Sequence, residues 1–514
     1  MAVEKPKMIT VVHSDSLNVN EILMPGIQFL RGGVVLKHDS AYMYCDSAYF
    51  NMDDNSFVAL SNIRVISPTE DLADTVYMFG DSLHYSGADK LAEVRYNVVL
   101  QKDSMTLFTE NLDYKMDENL GYYFDGGRTL NGKDTLLSKL GYYYADLDEL
   151  FFKDSVVVLN PKYTMYSDTL MHNTKEKISF MLGPTDIISS DGASNIYSEH
   201  GWYNHNLDIG QLDKNPVLTH KEQTVVGDSI YYDRKIGLGI AYDNVTIEDS
   251  IKHVQLKGNL GKYYEFTESS FVTDSALFIQ IQENDSLFMH ADTIRSIIDT
   301  LVTETDTAIF RLIKSYYKAK VFRHDIQAKS DSLVYTFLDS TIKLYNEPII
   351  WSGKNQLTAD YIEIRTDSSE VNEVLLLNNS IMASQSDSIS FNQIKGKKMI
   401  GHLKDSELYR IDVYEDGGAI YFMMDKEKLV GINKIKCVNM VIYLVNNEME
   451  DIWLYENPEG TMYPPKGLAG EERLFKNFKW QQKYRPEKWQ DVFIWNKNEK
   501  IILPEEISVD IKKE

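Results

Sequence analysis

Cysteine is nearly absent from this chain of 514 residues: Cys45 and Cys437 are the only two, 392 positions apart. Two thiols so placed build neither a disulfide framework nor a thiolate zinc site. Proline is scarce, at 12 residues, which suits continuous β-ladders because proline cannot donate to them. Positive charge is also short: 53 Lys+Arg stand against 77 Asp+Glu, a formal charge of −24. A polyphosphate would be repelled, so no nucleic acid partner is expected, nor simple adsorption onto an anionic membrane. No window approaches 18 consecutive apolar residues, which excludes a transmembrane helix. The opening Met-Ala-Val-Glu-Lys-Pro-Lys has no apolar h-region. The chain therefore reads either as cytoplasmic or as an exported protein written without its leader.

What is present is a core and a repeat. Hydrophobic residues make up 43% and aromatics 12%, with 33 Tyr, enough to bury a sizeable interior. Length alone suggests roughly three or four domains. The dipeptide Asp-Ser occurs fifteen times, from Asp15-Ser16 to Asp405-Ser406, where about three are expected by chance. Its fuller form is Gly80-Asp81-Ser82…Tyr85 and Gly227-Asp228-Ser229…Tyr232, and an Asn-type phrase follows sixteen residues after the Asp, at Asn97 and Asn244. Relaxed copies of that phrase at Asn97, Gly126, Ser155, Pro184, Asn215, Asn244 and Ser275 are spaced 29, 29, 29, 31, 29 and 31 residues apart, with Asn62 as an earlier copy.

Within a unit the apolar period is two, as in Ser229-Ile230-Tyr231-Tyr232 and Tyr361-Ile362-Glu363-Ile364, which predicts strands. Turns such as Asp53-Asp54-Asn55, Asp117-Glu118-Asn119 and Asp233-Arg234-Lys235 close them. A two-strand unit cannot cover its own apolar face and must stack on its neighbours. The expected fold is therefore all-β: an elongated, twisted, two-sheet stack whose end strands are open edges. Residues 1–10 read as a tail, 11–295 as a first run of repeats, 296–310 as an exposed Thr/Asp-rich loop, 311–462 as a second run, and 463–514 as a cap and tail. Leu474, Phe475, Phe478 and Tyr484 suggest a short amphipathic helix or cap, followed by a mixed-charge tail.

A search for chemistry finds little. No Walker A loop, dinucleotide fingerprint, His-Glu-x-x-His or Gly-x-Ser-x-Gly occurs, so neither a catalytic residue nor a cofactor is assigned. Eleven His are scattered without ligand spacing, so no metal is assigned. Asp-Ser reads as a turn or strand-entry device rather than a calcium ladder, because the Gly-Gly-x-Gly-x-Asp nonapeptide is missing. Carboxylate pairs such as Asp53/Asp54 and Asp146/Asp148 recur in every unit, so none stands out as a glycosidase pair. Tyr122-Tyr123-Phe124 and Tyr142-Tyr143-Tyr144 put large rings on both faces of a strand. They make either an aromatic core or the lining of a seam for an apolar ligand.

Several segments carry a resemblance. Ala41-Tyr42-Met43-Tyr44-Cys45-Asp46-Ser47-Ala48-Tyr49, Gly80-Asp81-Ser82-Leu83-His84-Tyr85, Tyr163-Thr164-Met165-Tyr166-Ser167-Asp168-Thr169-Leu170 and Leu357-Thr358-Ala359-Asp360-Tyr361-Ile362-Glu363-Ile364 resemble the OstA-like proteins of Bacteroidetes. These are similar to the periplasmic lipopolysaccharide-transport bridge protein LptA and to the N-terminal domain of the translocon protein LptD. The likeness covers residues 11–462. It implies a twisted open β-jellyroll, a periplasmic location, no enzymatic activity, lipopolysaccharide or lipooligosaccharide as cargo, and other Lpt-type proteins and the outer-membrane translocon as partners through edge strands. Carried onto this sequence, it places Ile63, Val65, Val98, Leu100, Val156, Val158, Leu218, Val245 and Ile247 on the inward, lipid-facing side. On that view Val98→Asp or Ile247→Asp abolishes lipid cross-linking without unfolding the chain. The competing readings are a structural β-solenoid or surface adhesin, with a closed core, and a polysaccharide-active β-helix enzyme.

Overall fold

The computed structural model describes residues 8–20, 22–69, 74–282, 285–303, 306–367, 370–404, 407–426, 428–445 and 448–496. Among these, regular structure consists of forty-two strands and four short 3-10 turns. The fold is all-β. Ile27–His38 runs antiparallel to Ala41–Asn51, which pairs in turn with Ser56–Pro68, and the meander continues along the chain.

The long strands are bent in the middle. Ladders shift register between Arg31 and Val34, Tyr44 and Ser47, Leu60 and Ile63, and Arg95 and Val98. At many of these points two successive residues adopt left-handed backbone: Ser61 and Asn62 (φ 64° and 53°), Tyr96 and Asn97 (63° and 52°), Asp154 and Ser155 (67° and 57°). Each strand thus turns a corner, and its two halves enter two facing sheets of a jellyroll. The 29-to-31-residue phrase of the sequence is this corner. Asn97, Gly126, Ser155, Asn215, Asn244 and Ser275 all have positive φ, which Asn and Gly tolerate best. Pro184 cannot follow, since its ring fixes φ; the strand is interrupted there between Ile178–Met181 and Thr185–Ser189, as it also is at Gly126, Asn215 and Ser275.

Alternation fills the space between the sheets. Ala41, Met43 and Cys45 face inward before a corner, and Ala48 and Phe50 face inward after it, all buried. Burial of each large apolar side chain contributes about 1.5–3 kcal/mol, and the same pattern recurs in strand after strand. Of the aromatic triplets, Tyr123 and Tyr143 point inward and are fully buried. Outside, Tyr122 and Tyr142 stack with centroids 4.7 Å apart.

The chain divides into two compact units. The first comprises residues 1–221 and 228–235, the second residues 222–227 and 236–514. The segment 296–310, read from sequence as a loop, is corrected: Thr293–Val302 and Thr307–Phe322 pair from Thr293↔Tyr316 out to Val302↔Thr307. Its outer part is a two-stranded hairpin with Leu301, Val302 and Ile309 exposed. Exposure on both faces favours Thr and Asp there, and that composition read as loop.

In the second unit one of the two sheets departs from simple alternation. Ile349–Ser352 and Leu277–Ile279 are buried on both faces. The cover is the C-terminal segment, which holds three short 3-10 turns and no α-helix among the described residues. Residues 464–496 run back along the outside of that sheet in extended and 3-10 conformations. Leu468 packs on Ile420, Phe422 and Ile432, Phe391 meets Phe478 and Trp480, and Val492 closes over Leu277, Ile279 and Phe288. Residues 497–514 lie outside the described residues, as do residues 1–7 of the expected tail.

Three buried glutamines of the sheet hold this strap. Gln393 donates to Arg473 O (3.0 Å) and accepts from the Phe475 N–H (2.9 Å). Gln356 donates to Lys479 O (2.8 Å) and accepts from the Gln481 N–H (2.7 Å). Gln327 accepts from Arg485 Nε (2.7 Å). Each amide thereby satisfies backbone or guanidinium groups that burial would otherwise leave unpaired, a cost of about 1–3 kcal/mol each.

Candidate functional site

The nine residues that the resemblance places on the inward side can be located directly. Ile63, Val65, Val98, Leu100, Val156, Val158 and Leu218 lie on the inner face of the first unit, and Val245 and Ile247 on that of the second. All nine are buried, at 4% exposure or less. Their neighbours are other inward side chains: Val98 and Leu100 stand beside Thr109 and Leu107, Val158 beside Met165. The interior at these positions is filled. Val98→Asp would therefore bury a carboxylate among apolar groups, and the expectation that this variant leaves the fold intact is withdrawn.

The space between the sheets has a hinge side, formed by the corners, and a mouth, formed by the turns. In the first unit the mouth is crossed by side chains. Near its start, His38 Nδ1 meets Tyr85 OH at 2.6 Å and Lys90 pairs with Asp39 at 2.8 Å. Next, Lys102, only 3% exposed, reaches across to Asp148 Oδ1 (2.6 Å) and Ala145 O (2.7 Å). Burial is the largest single influence and opposes its charge, but the Asp148 bond together with the negative charges of Asp148, Asp74 and Asp103 overcomes it and raises its pKa. Further on, Lys162 pairs with Asp208 at 2.5 Å.

Between these lies a buried polar network that the sequence search did not find. Asn131 Nδ2 contacts His172 Nε2 (3.1 Å) and donates to Thr174 O (3.0 Å). His172 Nδ1 lies 3.0 Å from Ser179 Oγ, which in turn lies 2.7 Å from His205 Nε2. His205 Nδ1 is 3.1 Å from Asp134 Oδ2 and 2.8 Å from Tyr163 OH, and Asn160 donates to Asp134 Oδ1 at 2.6 Å. Burial, followed by the neighbouring His205, pushes His172 down to about 3, so its ring is neutral. Burial, the largest single influence, would raise the Asp134 carboxyl, but the bond and charge of His205, the Asn160 bond and the nearby His172 together draw it below its ordinary value.

Ser179, His205 and Asp134 follow the order of a charge-relay triad. Ser179 is nonetheless fully buried and its hydroxyl is shared with His172, so the group serves as a tie between the sheets. The inward placement of Asn131, Asp134, His172 and His205 was readable only as strand alternation, because their partners lie in distant turns.

Open edges complete the geometry. Glu448–Tyr455 pairs on one side with Asn439–Val445, and its other side meets no strand among the described residues. Trp453, Tyr455 and Val445 are exposed there. In the first unit Thr10–His13 and Ser16–Val19 pair only with Ile27–His38 among the described residues, leaving Val12, Leu17 and Val19 exposed.

Comparison with known proteins decides the family. The OstA-like protein family matches residues 6–168 and 185–289, just over half of the sequence. The chain belongs to the OstA-like family. No curated protein sequence matches this OstA-like chain. Among solved structures, one that matches is the crystal structure of LptH from Pseudomonas aeruginosa. It is described as the LptA-homologous periplasmic component of the conserved lipopolysaccharide transport device. The identity is 18%, over 24% of this chain and 82% of LptH, with a TM-score of 0.20.

Proposed function

We propose that this OstA-like chain is a non-enzymatic periplasmic protein of lipopolysaccharide transport, holding acyl chains between its two sheets on the way to the outer membrane. The observation that supports this reading is the inward stripe of bent strands in the first unit, where Ile63, Val65, Val98, Leu100, Val156 and Val158 are all apolar and buried. Acyl burial contributes about 0.8 kcal/mol per CH₂, so a lipid can exchange with the present core contacts while its phosphorylated head stays in solvent. The exposed edge strands, with Trp453 and Tyr455 at one and Leu17 and Val19 at the other, suit extension by β-rich partners such as other Lpt-type proteins or the outer-membrane translocon.

The filled interior favours a second reading, a structural β-solenoid or adhesin without a lipid site. Photo-leucine, nearly isosteric with leucine, separates the two. The folded protein would be irradiated with purified lipopolysaccharide and adducts mapped by mass spectrometry. Adducts at Leu100 and Leu218 are expected; labelling confined to exposed leucines such as Leu17 and Leu301 would favour the structural reading.

A further inference from the structure

We infer that the polar seam of the first unit is a lateral gate: the two sheets part at the mouth, hinging on the left-handed corners, to admit an acyl chain. This rests on the lipid-carrying reading above. Backbone ladders in this unit run within one sheet or the other, and the contacts that cross the mouth are made by side chains: His38 to Tyr85, Lys102 to Asp148 and Ala145, Asn131 to His172 and Thr174, Asp134 to His205, and Lys162 to Asp208. Opening therefore exchanges polar side-chain bonds for bonds to water and leaves the ladders whole. Two inward hydroxyls beside the seam, Thr129 Oγ1 and Tyr143 OH, are buried and have no hydrogen-bond partner among the described residues. An unpaired buried polar group penalises the closed form, and opening relieves it.

The second unit is built differently. Its strap ties strands from Leu277–Gln280 to Lys428–Cys437 along the outside of one sheet, with Gln327, Gln356 and Gln393 as fasteners. A sheet with both faces buried has no free side on which to flex, whereas each sheet of the first unit keeps a solvent face. The gate belongs to the first unit.

The test staples the mouth. In the full chain carrying Cys45→Ala and Cys437→Ser, Lys162→Cys and Asp208→Cys are joined by a reductant-cleavable bismaleimide. A control carries Lys139→Cys and Asp154→Cys, a pair that meets at 3.1 Å on the corner side, joined by the same reagent. Lipopolysaccharide is then offered and photo-leucine adducts at Leu100 are counted. The mouth staple is expected to lower them at least tenfold, with recovery on cleavage, while the corner staple leaves them unchanged. Equal labelling of the two stapled forms would overturn the gate and leave the lipid-carrying reading standing. Folded protein that gives no Leu100 adduct in any form, cleaved or uncleaved, would overturn both.

Discussion

Asn97 Nδ2 donates to Asp81 Oδ2 over 2.7 Å, from a corner to the Asp-Ser sixteen residues earlier on the neighbouring strand. The same bond joins Asn62 to Asp46 at 2.7 Å and, with a glutamate in the acid position, Asn215 to Glu199 at 2.8 Å. The repeated Asp and the repeated Asn are thus two ends of one device. The Asn adopts left-handed backbone, and its amide fastens the corner to the strand before it.

The two contributions can be separated by substitution. Asn97→Gly keeps the backbone freedom and loses the bond, as Asp81→Ala does, and each should cost about 0.5–1.5 kcal/mol. Asn97→Val loses the bond and must also hold φ at 52°, adding about 1–2 kcal/mol for a residue with a Cβ in that region. Urea denaturation measures all three. Equal losses for the Gly and Val variants would show that backbone strain plays no part.

The corners were legible because a left-handed pair restricts residue type, and Asn, Asp, Ser and Gly recur there at fixed spacing. The choice of inward face comes from the resemblance, because alternation after a corner gives two faces without saying which one is buried. The strap was less legible than the corners. Its sockets are announced by apolar runs such as Leu277-Phe278-Ile279 and Ile349-Ile350-Trp351, which mark strands buried on both faces, yet nothing local says what covers the second face. Gln327, Gln356 and Gln393 look like ordinary solvent-facing residues until the strap arrives. The seam is hidden for a related reason: His172 and Asn131 meet only because turns of opposite sheets converge.

Fastening of the strap gives a second prediction. Gln356→Leu keeps roughly the volume but leaves Lys479 O and the Gln481 N–H without partners in a covered position. A loss of about 1–3 kcal/mol is expected, together with faster proteolysis within residues 464–496. An unchanged denaturation midpoint and an unchanged cleavage rate would mean that the apolar contacts of Leu468 and Val492 hold the strap alone.

Close packing gives a third. A Cβ added at Gly141 would lie 2.2 Å from the ring of Tyr123, which is fully buried with its hydroxyl 2.6 Å from Ser138 Oγ. Gly141→Ala should cost about 1–3 kcal/mol by overpacking. In a Tyr123→Leu background, where the ring is gone, the same alanine should cost clearly less. Additive losses in the double variant would show that Tyr123 is not the group being displaced.

The buried histidine of the seam gives a pH dependence of definite sign. Burial, then His205, lowers His172 to about 3, with Asn131, Ser179, Asp134 and Lys177 as its other polar and charged neighbours. A histidine freed by opening or unfolding binds its proton near pH 6.5. Between these values the closed form binds fewer protons than the open one, so stability is complete above about pH 6.5 and falls as the solution is acidified, by up to roughly 1.4 kcal/mol per pH unit for this one group. Asp134, whose folded pKa is also lowered, begins to weaken the closed form only at lower pH, where an unfolded carboxylate takes up its proton, near 3.9. Urea midpoints at pH 7.5, 6.5, 5.5 and 4.5 should therefore fall more steeply for the native chain than for His172→Gln, which cannot titrate. The ordering follows from a neutral ring held between the sheets, and equal slopes for the two proteins would show that His172 is already free to take up its proton in the closed form.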